Sequence, residues 1–449
     1  MSPLSFILFL FLLPLSTALS SFLSLHLHYP PLPPNSPPSH PLHPLSISSL
    51  IRATSLKQPN NPHPSVSPLF PHSYGGYSLS LSLGSPPHTF SFLFDTASHL
   101  SWLPCSHSFH CLHCSPSPSP PPLYLPNSSL SSRLVGCRNP SCYFIHPSHS
   151  CPGNPTDNAS SSSTLCPPYL LIYGSGSTGG LLMLERLLLP GRVLRNFLFG
   201  CSLFSDRQPP AGLAGFGRGP SSLPSQLGIT SFAYCLISRK FDDDSSVSGS
   251  LFLGGSTDRD LQFIPFVQNP TKSVPFSVYY YLALRMITIG GKNVKLPTKA
   301  LYPGPTGDGG TIIDSGTTFT YMEPTSFKPV MEMFTQVIGN RYNRSAHVES
   351  RTGLKPCFIL PVKNSQVELP ELVFHFKAGV EMRLPVENYF VVADADAVCL
   401  TVVTDSLAGR GAGGGPSIII GSFQQQNYYM VYDLARERLG FRQQNCVHH

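Results

Sequence analysis

The amino-acid sequence predicts a mainly β protein whose two related lobes enclose a cleft. Segments in which apolar and polar residues alternate indicate strands in both halves of the chain. An apolar strand that ends in Asp and is followed by hydroxyl residues occurs twice, at Asp95 and at Asp314, 219 residues apart. The 449 residues suffice for one large unit of two lobes, since a single domain has about 150 residues. A duplicated lobe brings the two Asp loops together at a pseudo-twofold axis.

The composition excludes several classes of protein. Charged residues make up 12% of the chain and hydrophobic residues 41%, which is ample material for a packed core. The net charge of +6 comes from 29 Lys and Arg against 23 Asp and Glu, and the cations form no block, so no nucleic-acid binding is expected. The sequence contains no His-Glu-x-x-His motif, phosphate loop or dinucleotide fingerprint. We therefore predict no metal and no organic cofactor.

The beginning of the chain is typical of an exported protein. Residues 1–20 contain the apolar run Phe6 to Leu13 followed by small residues, which predicts a signal peptide. A membrane span needs about 20 apolar residues, so we expect no stable membrane anchor. Residues 21–73 are rich in Pro and Ser, which predicts either a propeptide or a linker. The product is expected to be secreted.

The rest of the chain is predicted to form two lobes, at residues 74–260 and 261–446. A β-hairpin is predicted where the alternating run Tyr77–Leu83 is followed by a turn at Gly84 and by the run Thr89–Phe94. Apolar residues recur at helical spacing over Ser326–Ile338, which predicts a helix capped by Thr325. Further strands are predicted at 278–289, 389–392 and 398–403.

Twelve cysteines, an even number, indicate disulfides formed in an oxidising compartment. Several of them lie in a Cys-rich insertion at about residues 105–166. Cys111 and Cys114, with three histidines nearby, also have the spacing of a zinc site, but a disulfide-stapled loop is favoured in an exported chain. Three Asn-x-Ser sequons predict N-glycans, at Asn127, Asn158 and Asn343.

The two Asp motifs carry the chemistry. Asp95 is the first acidic residue of the chain, and it directly follows the apolar Phe92–Phe94. A carboxylate inside a sheet loses hydration worth several kcal/mol unless donors compensate. The residues that follow each Asp offer backbone N–H groups and hydroxyls. Either tetrapeptide alone also describes an ordinary turn, whereas two copies indicate a paired site.

The chain resembles the pepsin-type aspartic proteases, and within them the nepenthesin-like plant branch. The resemblance covers roughly residues 74–446. Trp102, seven residues after Asp95, stands where the family has the Trp that supports a flap tyrosine, and Tyr173 stands in the place of that tyrosine. Two segments resemble the apolar-apolar-Gly strands that cross behind the catalytic loops: Leu213-Ala214-Gly215 and Ile419-Ile420-Gly421.

The resemblance implies a bilobal pepsin-like fold and an aspartic endopeptidase active at acidic pH. As is established for the aspartic-protease dyad, the two carboxylates share a proton and activate a water molecule. The substrate is then a peptide or protein in the cleft. The expected location is extracellular, in the cell wall or apoplast if the source is a plant, with the vacuole as an alternative. A monomer is expected because the internal duplication supplies both halves of the site. By resemblance, Ser98 and Thr317 bond the outer carboxylate oxygens, and Thr96 and Ser315 lock the two loops together. The resemblance also implies the disulfides Cys357–Cys399 and Cys201–Cys446.

The chain departs from the family pattern at two positions next to Asp95. Ala97 replaces the Gly of Asp-Thr-Gly, and His99 introduces a side chain that is expected to be cationic at acidic pH. These departures leave open a second function, a protease-like protein that binds a partner without cutting it, as the xylanase-inhibitor relatives do. A structural cell-wall glycoprotein is a third interpretation, but it does not explain two matched Asp loops.

Overall fold

The computed structural model describes residues 22–25, 76–106, 108–114, 122–148, 165–173, 176–189, 192–208, 211–238, 249–254, 260–270, 274–361, 367–394, 396–405 and 414–446. The predicted signal peptide, most of the Pro/Ser-rich segment and Asn158 lie outside the described residues. Of the two remaining predicted glycan sites, both asparagines are exposed, Asn127 in a 3-10 turn and Asn343 in a short strand.

The secondary structure consists mostly of strands. In the first half of the chain the strands are β1 Phe22–Leu25, β2 Ser78–Leu83, β3 His88–Asp95, β4 Trp102–Pro104, β5 His110–Leu112, β6 Arg133–Leu134, β7 Tyr169–Tyr173, β8 Gly176–Leu189, β9 Arg192–Asp206, β10 Gly212–Gly215, β11 Ser231–Cys235 and β12 Ser250–Leu253. In the second half they are β13 Gln262–Pro265, β14 Tyr280–Leu282, β15 Leu284–Ile289, β16 Lys292–Val294, β17 Thr311–Ile313, β18 Thr320–Met322, β19 Asn343–Arg344, β20 Cys357–Ile359, β21 Val367–Pro370, β22 Leu372–Phe376, β23 Glu381–Leu384, β24 Phe390–Asp394, β25 Ala397–Leu400, β26 Val402–Val403, β27 Ile418–Ile420, β28 Tyr428–Asp433 and β29 Arg438–Gln443. The helices are α1 Pro140–Tyr143, α2 Leu223–Leu227, α3 Thr298–Leu301, α4 Pro324–Ile338 and α5 Ala346–Thr352.

One large sheet dominates the first half of the chain. Its described strands run in the order β5-β9-β4-β10-β3-β2-β8-β6, and β7 is added beside β8. The predicted hairpin is confirmed as β2 and β3. On its other side β3 pairs in parallel with β10, which places Gly215 opposite Asp95. Phe92 and Phe94 of β3 are buried, so Asp95 enters the interior at the end of an anchored strand.

A smaller sheet of the second half repeats this arrangement in the order β14-β17-β27-β18-β26. Its middle strand β27 lies parallel to β17 and antiparallel to β18. In the first half, β10 lies parallel to β3 and antiparallel to β4. The two predicted apolar-apolar-Gly segments thus form, or directly continue, the middle strands. This repeated topology is the duplication that the sequence predicts.

A third sheet joins the two halves, in the order β12-β11-β28-β29-β13. β11, from the first half, pairs antiparallel with β28, which lies near the end of the chain. The rings of Phe232 on β11 and Tyr432 on β28 stack with centroids 4.4 Å apart. One hydrophobic cluster runs through this sheet and includes residues of both halves, so the halves share a continuous core.

The remaining elements follow the predictions with local shifts. The predicted strand 278–289 is divided into β14 and β15 by Ala283, whose carbonyl accepts a bond from Lys377. The predicted helix is α4, but its cap is wrong. Glu323 is at the N-cap position, and Thr325 lies within the helix, where its hydroxyl donates to Glu323 Oε1 at 3.0 Å. Pro324 accounts for the earlier start, because proline suits the first helical position.

Two sheets complete the second half, in the orders β16-β15-β22-β23 and β19-β20-β25-β24, and β1 pairs antiparallel with β21. Within the described residues, no helix combines the length and the apolar character that crossing a membrane requires.

The disulfides correct part of the expected pairing. Cys357–Cys399 is confirmed, and its two cysteines face each other across β20 and β25. Cys201 and Cys446 are both oxidised but not to each other, so that predicted bridge is wrong. Cys201 on β9 bonds Cys105, because β4 runs parallel to β9 and leads Cys105 to the same edge. Cys446, which follows β29, bonds Cys235 on β11, and both strands are in the sheet in which β28 pairs with each of them.

The described part of the Cys-rich insertion also contains the bridges Cys111–Cys114 and Cys142–Cys166. The disulfide interpretation of the Cys111-x-x-Cys114 motif is therefore confirmed over the zinc interpretation.

Candidate active site

The two sheets of the halves bring Asp95 and Asp314 to equivalent positions. Asp95 is the last residue of β3, and Asp314 follows β17 directly. Both residues are almost completely buried, with 2% and 0% of their surfaces exposed. Each lies beside a parallel middle strand, since Phe216 N–H donates to the Asp95 carbonyl and Asp314 N–H donates to the Ile420 carbonyl.

Each carboxylate is held by the same two kinds of donor. Asp95 Oδ1 accepts from the Ala97 N–H at 2.8 Å, and its Oδ2 accepts from the Ser98 hydroxyl at 2.8 Å. Asp314 Oδ1 accepts from the Gly316 N–H at 2.8 Å, and its Oδ2 accepts from the Thr317 hydroxyl at 2.6 Å. Donors of this kind offset the loss of hydration on burial and fix the orientation of a carboxylate.

The two loops are joined to each other by a reciprocal pair of hydrogen bonds. Thr96 N–H donates to the Ser315 hydroxyl oxygen at 3.1 Å, and Ser315 N–H donates to the Thr96 hydroxyl oxygen at 2.9 Å. A Cβ atom added to Gly316 would lie 2.8 Å from Asp95 Cγ, so this glycine lets the second loop approach the first carboxylate. Ser98 and Thr317 therefore make the predicted bonds to the carboxylates. Thr96 and Ser315 make the predicted bonds between the two loops.

A hairpin of β7 and β8 carries Tyr173 at its end, opposite Gly176. The Trp102 Nε1–H donates to the Tyr173 hydroxyl at 2.8 Å, and the two ring centroids are 6.4 Å apart. A Cβ atom on Gly176 would lie 1.7 Å from the Asp206 carbonyl oxygen, so only glycine fits where β8 leaves the tip. The predicted contact between the Trp and the flap tyrosine is thus present.

Comparison with known proteins identifies the family. Models described as the xylanase inhibitor N-terminal and C-terminal regions match residues 77–255 and 279–443. A protein of Arabidopsis thaliana described as a probable aspartyl protease is 34% identical over 83% of this chain and 82% of its own length. The aspartic proteinase nepenthesin-2 of Nepenthes gracilis is 33% identical over 83% of this chain and 78% of its own length. The chain belongs to the nepenthesin-like branch of the pepsin-like aspartic protease family.

Solved structures show the same fold at lower sequence identity. The crystal structure of EDGP matches with a TM-score of 0.64 and 22% identity, over 85% of this chain and 96% of that one. The basic 7S globulin from soybean matches with a TM-score of 0.62 and 20% identity, over 83% of this chain and 94% of that one. These likenesses confirm the pepsin-like fold class.

Ala97 fits the first loop of this family member without backbone strain. Its φ is not positive, so the position does not need glycine for conformational reasons. The Ala97 side chain is buried in a hydrophobic cluster whose other members, including Tyr279 and Phe423, come from the second half. Ala97 N–H still donates to Asp95, so the extra methyl group leaves the carboxylate contact intact.

Ala97→Gly is therefore expected to change kcat for peptide cleavage by less than about tenfold, which corresponds to about 1.4 kcal/mol in the barrier. Steady-state kinetics of the variant and the wild type check this. A gain of several hundredfold would show that the natural loop is impaired.

His99 is half-buried beside the first loop, and the expectation of a cation is wrong for most of the acidic range. Burial lowers the pKa of His99 to about 4, because a charged ring loses hydration there. Its Nδ1 lies 2.7 Å from the Ser221 hydroxyl oxygen. The ring is therefore neutral above about pH 4 and links the first loop to the segment that follows β10.

His99→Asn is expected to make the fold less sensitive to acid. The folded-state pKa of His99, about 4, lies below the ordinary value of about 6.5, so the unfolded chain binds the proton more readily. The wild type therefore loses stability as pH falls from about 6.5 to about 4, and the Asn variant lacks this loss. Urea unfolding at several pH values in that window measures the difference between the two proteins. A difference that stays constant with pH would contradict the assignment.

No motif of the sequence predicts the residues that contact the main chain of the second Asp loop. The Tyr234 hydroxyl donates to Gln425 Oε1 at 2.5 Å and lies 3.1 Å from the Tyr432 hydroxyl. Burial raises the pKa of both tyrosines, and the charge of Asp314 contributes to both shifts. The available signal is Gln424-Gln425-Gln426, three amides inside an otherwise apolar segment. Buried side-chain amides need partners.

Proposed function

We propose that this protein is a secreted aspartic endopeptidase that hydrolyses peptide bonds at acidic pH through a water molecule activated by Asp95 and Asp314. The observation that carries the proposal is the matched pair of buried carboxylates, each held by one backbone amide and one hydroxyl. Burying two carboxylates in facing loops is costly. A fold has reason to retain such a pair when the carboxylates do chemistry.

In this mechanism the two carboxylates share one proton, because two negative charges so close together repel each other. The charged carboxylate accepts a proton from the water, whose oxygen attacks the scissile carbonyl carbon. The protonated carboxyl donates to the carbonyl oxygen, which gives a neutral tetrahedral diol. Proton transfer to the amide nitrogen then releases the amine, and no acyl-enzyme forms. Ser98 and Thr317 keep the two carboxylates oriented throughout.

Tyr173, the residue at the end of the β7–β8 hairpin, supports the same function. A hairpin that closes over a substrate excludes water and aligns the peptide with the catalytic groups. The hydrogen bond from Trp102 fixes the direction of the Tyr173 hydroxyl when the hairpin is closed over a substrate. We therefore assign Tyr173 to substrate binding and Trp102 to its support.

The disulfides support an exported location. Five described bridges indicate an oxidising environment, and we place the protein in the cell wall or apoplast, with the vacuole as an alternative. Since one chain supplies both Asp loops, a monomer suffices for activity.

The alternative function is a protease-like binding protein with little or no activity. The family models are described by the name xylanase inhibitor, and Ala97 departs from the family pattern. The complete set of carboxylate donors favours the protease.

Cleavage of a denatured generic protein from acidic to neutral pH, with and without pepstatin, tests the proposal. We expect cleavage that is favoured by acid and abolished by pepstatin. If a folded preparation from which the leader has been removed cuts nothing at any pH, the protease assignment is wrong and the binding protein remains.

A further inference from the structure

The main-chain carbonyls of Asp95 and Asp314 accept hydrogen bonds from different kinds of donor, despite the pseudo-twofold relation of the two loops. In the first half, the Phe216 N–H donates to the Asp95 carbonyl at 2.8 Å. Ser422 occupies the equivalent place in the second half, directly after the middle-strand glycine Gly421. Its N–H donates instead to the Thr317 carbonyl at 2.7 Å. Pairing with the middle strand therefore continues through the Asp95 carbonyl in the first half. In the second half it shifts, and the Asp314 carbonyl does not receive the equivalent main-chain donor.

Gln425 supplies a donor at this position. It lies in the 3-10 turn Ser422–Gln425 and is completely buried. Its Nε2 donates to the Asp314 carbonyl at 3.2 Å and to the Ile420 carbonyl at 3.0 Å. Its Oε1 accepts from the hydroxyl of Tyr234, a residue of β11 in the first half. One side chain thus connects the main chain of the second Asp loop to the other half of the protein.

The chemistry of this position requires an amide. Two carbonyl oxygens and one hydroxyl donor converge there, so the side chain must donate twice and accept once. A carboxylate would face the two carbonyl oxygens without a proton to give, and an apolar side chain would remove one hydrogen-bond partner from each of the three groups.

We propose that Gln425 is a positioning residue that sets the orientation of the Asp314 carboxylate by holding the Asp314 peptide against Tyr234. This inference rests on the proposed protease function. The direction of the Cα–Cβ bond of Asp314 depends on the orientation of its peptide. A catalytic group displaced by about 1 Å can lower the rate about 100-fold.

The matched control is the neighbouring Gln426. It is also buried, at 2% exposure, and its Nε2 donates to the Tyr77 hydroxyl at 2.9 Å rather than to the main chain of Asp314. Replacing either glutamine with Leu therefore removes a buried amide of the same size, but only Gln425→Leu removes the side-chain donor to the Asp314 carbonyl. Tyr234→Phe is a second, milder variant that leaves the Gln425 amide in place.

The experiment measures kcat and KM of the secreted protein with a fluorogenic peptide, the thermal midpoint of each variant, and the Kd of pepstatin. We expect Gln425→Leu to lower kcat about 30-fold with KM within about twofold, and Gln426→Leu to keep kcat within about threefold. Tyr234→Phe should lower kcat by less than Gln425→Leu, and the double variant Gln425→Leu/Tyr234→Phe should resemble Gln425→Leu alone, because both changes break one connection.

Several outcomes would overturn the inference. One is a kcat of Gln425→Leu within about threefold of the wild type. Another is an equal loss of kcat in Gln425→Leu and Gln426→Leu at similar thermal midpoints. If Gln425→Leu does not fold, an unchanged kcat in Tyr234→Phe has the same meaning.

Pepstatin binding separates failure of this inference from failure of the proposed function. A wild type that binds pepstatin without cleaving peptides contradicts the protease function alone, and a Kd at least tenfold weaker in Gln425→Leu than in Gln426→Leu then still supports the positioning role. A wild type that neither cleaves nor binds overturns both.

Discussion

Asp95→Asn is expected to lower kcat for peptide cleavage by at least about 10³-fold, and Asp314→Asn is expected to have the same effect. Each substitution leaves a side chain that cannot share the proton, so the pair can no longer act as acid and base together. The fold should tolerate the change, because an Asn oxygen can still accept from the Ala97 N–H and the Ser98 hydroxyl can turn to accept from the Asn amide. Acid-pH kinetics on a peptide substrate, with thermal midpoints for both variants, provide the measurement.

The double variant should be no less active than either single variant, since the two residues act as a unit. Asp394→Asn is the control: this carboxylate pairs with Arg351 near the surface, outside both Asp loops, and its loss should leave kcat unchanged. Substantial activity in a folded Asp95→Asn protein would mean that the buried pair is not the catalytic centre.

Removal of the Cys235–Cys446 disulfide is expected to lower the free energy of unfolding by about 5 kcal/mol. The bridge joins cysteines with a sequence separation of 211, and a constraint on so long a loop removes much of the entropy of the unfolded chain. It also attaches the segment that follows β29 to β11, the strand that carries Tyr234. Urea unfolding of Cys235→Ala/Cys446→Ala measures the loss, and reduced activity should accompany it before unfolding is complete.

Cys111→Ala/Cys114→Ala is the matched comparison. That bridge spans a sequence separation of 3 in a largely exposed strand and turn, so the same relation predicts a loss below about 2 kcal/mol. Equal losses in the two variants would show that loop length does not determine their contributions.

The elements that were predicted best are those whose signal is local. The β2–β3 hairpin follows from strict alternation with a turn at Gly84, and α4 follows from helical spacing of Phe327, Val330 and Phe334. The start of α4 was predicted less well, because Pro324 at the first helical position outweighs a potential cap at Thr325. The disulfides of Cys201 and Cys446 were mispaired, since pairing depends on which strands become neighbours.

The sequence by itself determined the duplicated Asp motif and the hydroxyl residues beside each Asp, because these residues sit at fixed short distances along the chain from recognisable strand ends. The Trp102 and Tyr173 pair was predicted from the resemblance to the family. Only the tertiary structure decided that Ala97 is free of backbone strain, that desolvation lowers the pKa of His99, and that Gln425 reaches Asp314 and Tyr234 together. Those properties depend on residues that lie far apart in the sequence, up to 191 positions for Gln425 and Tyr234. Burial and hydrogen bonding at such separations arise only when the two halves pack against each other.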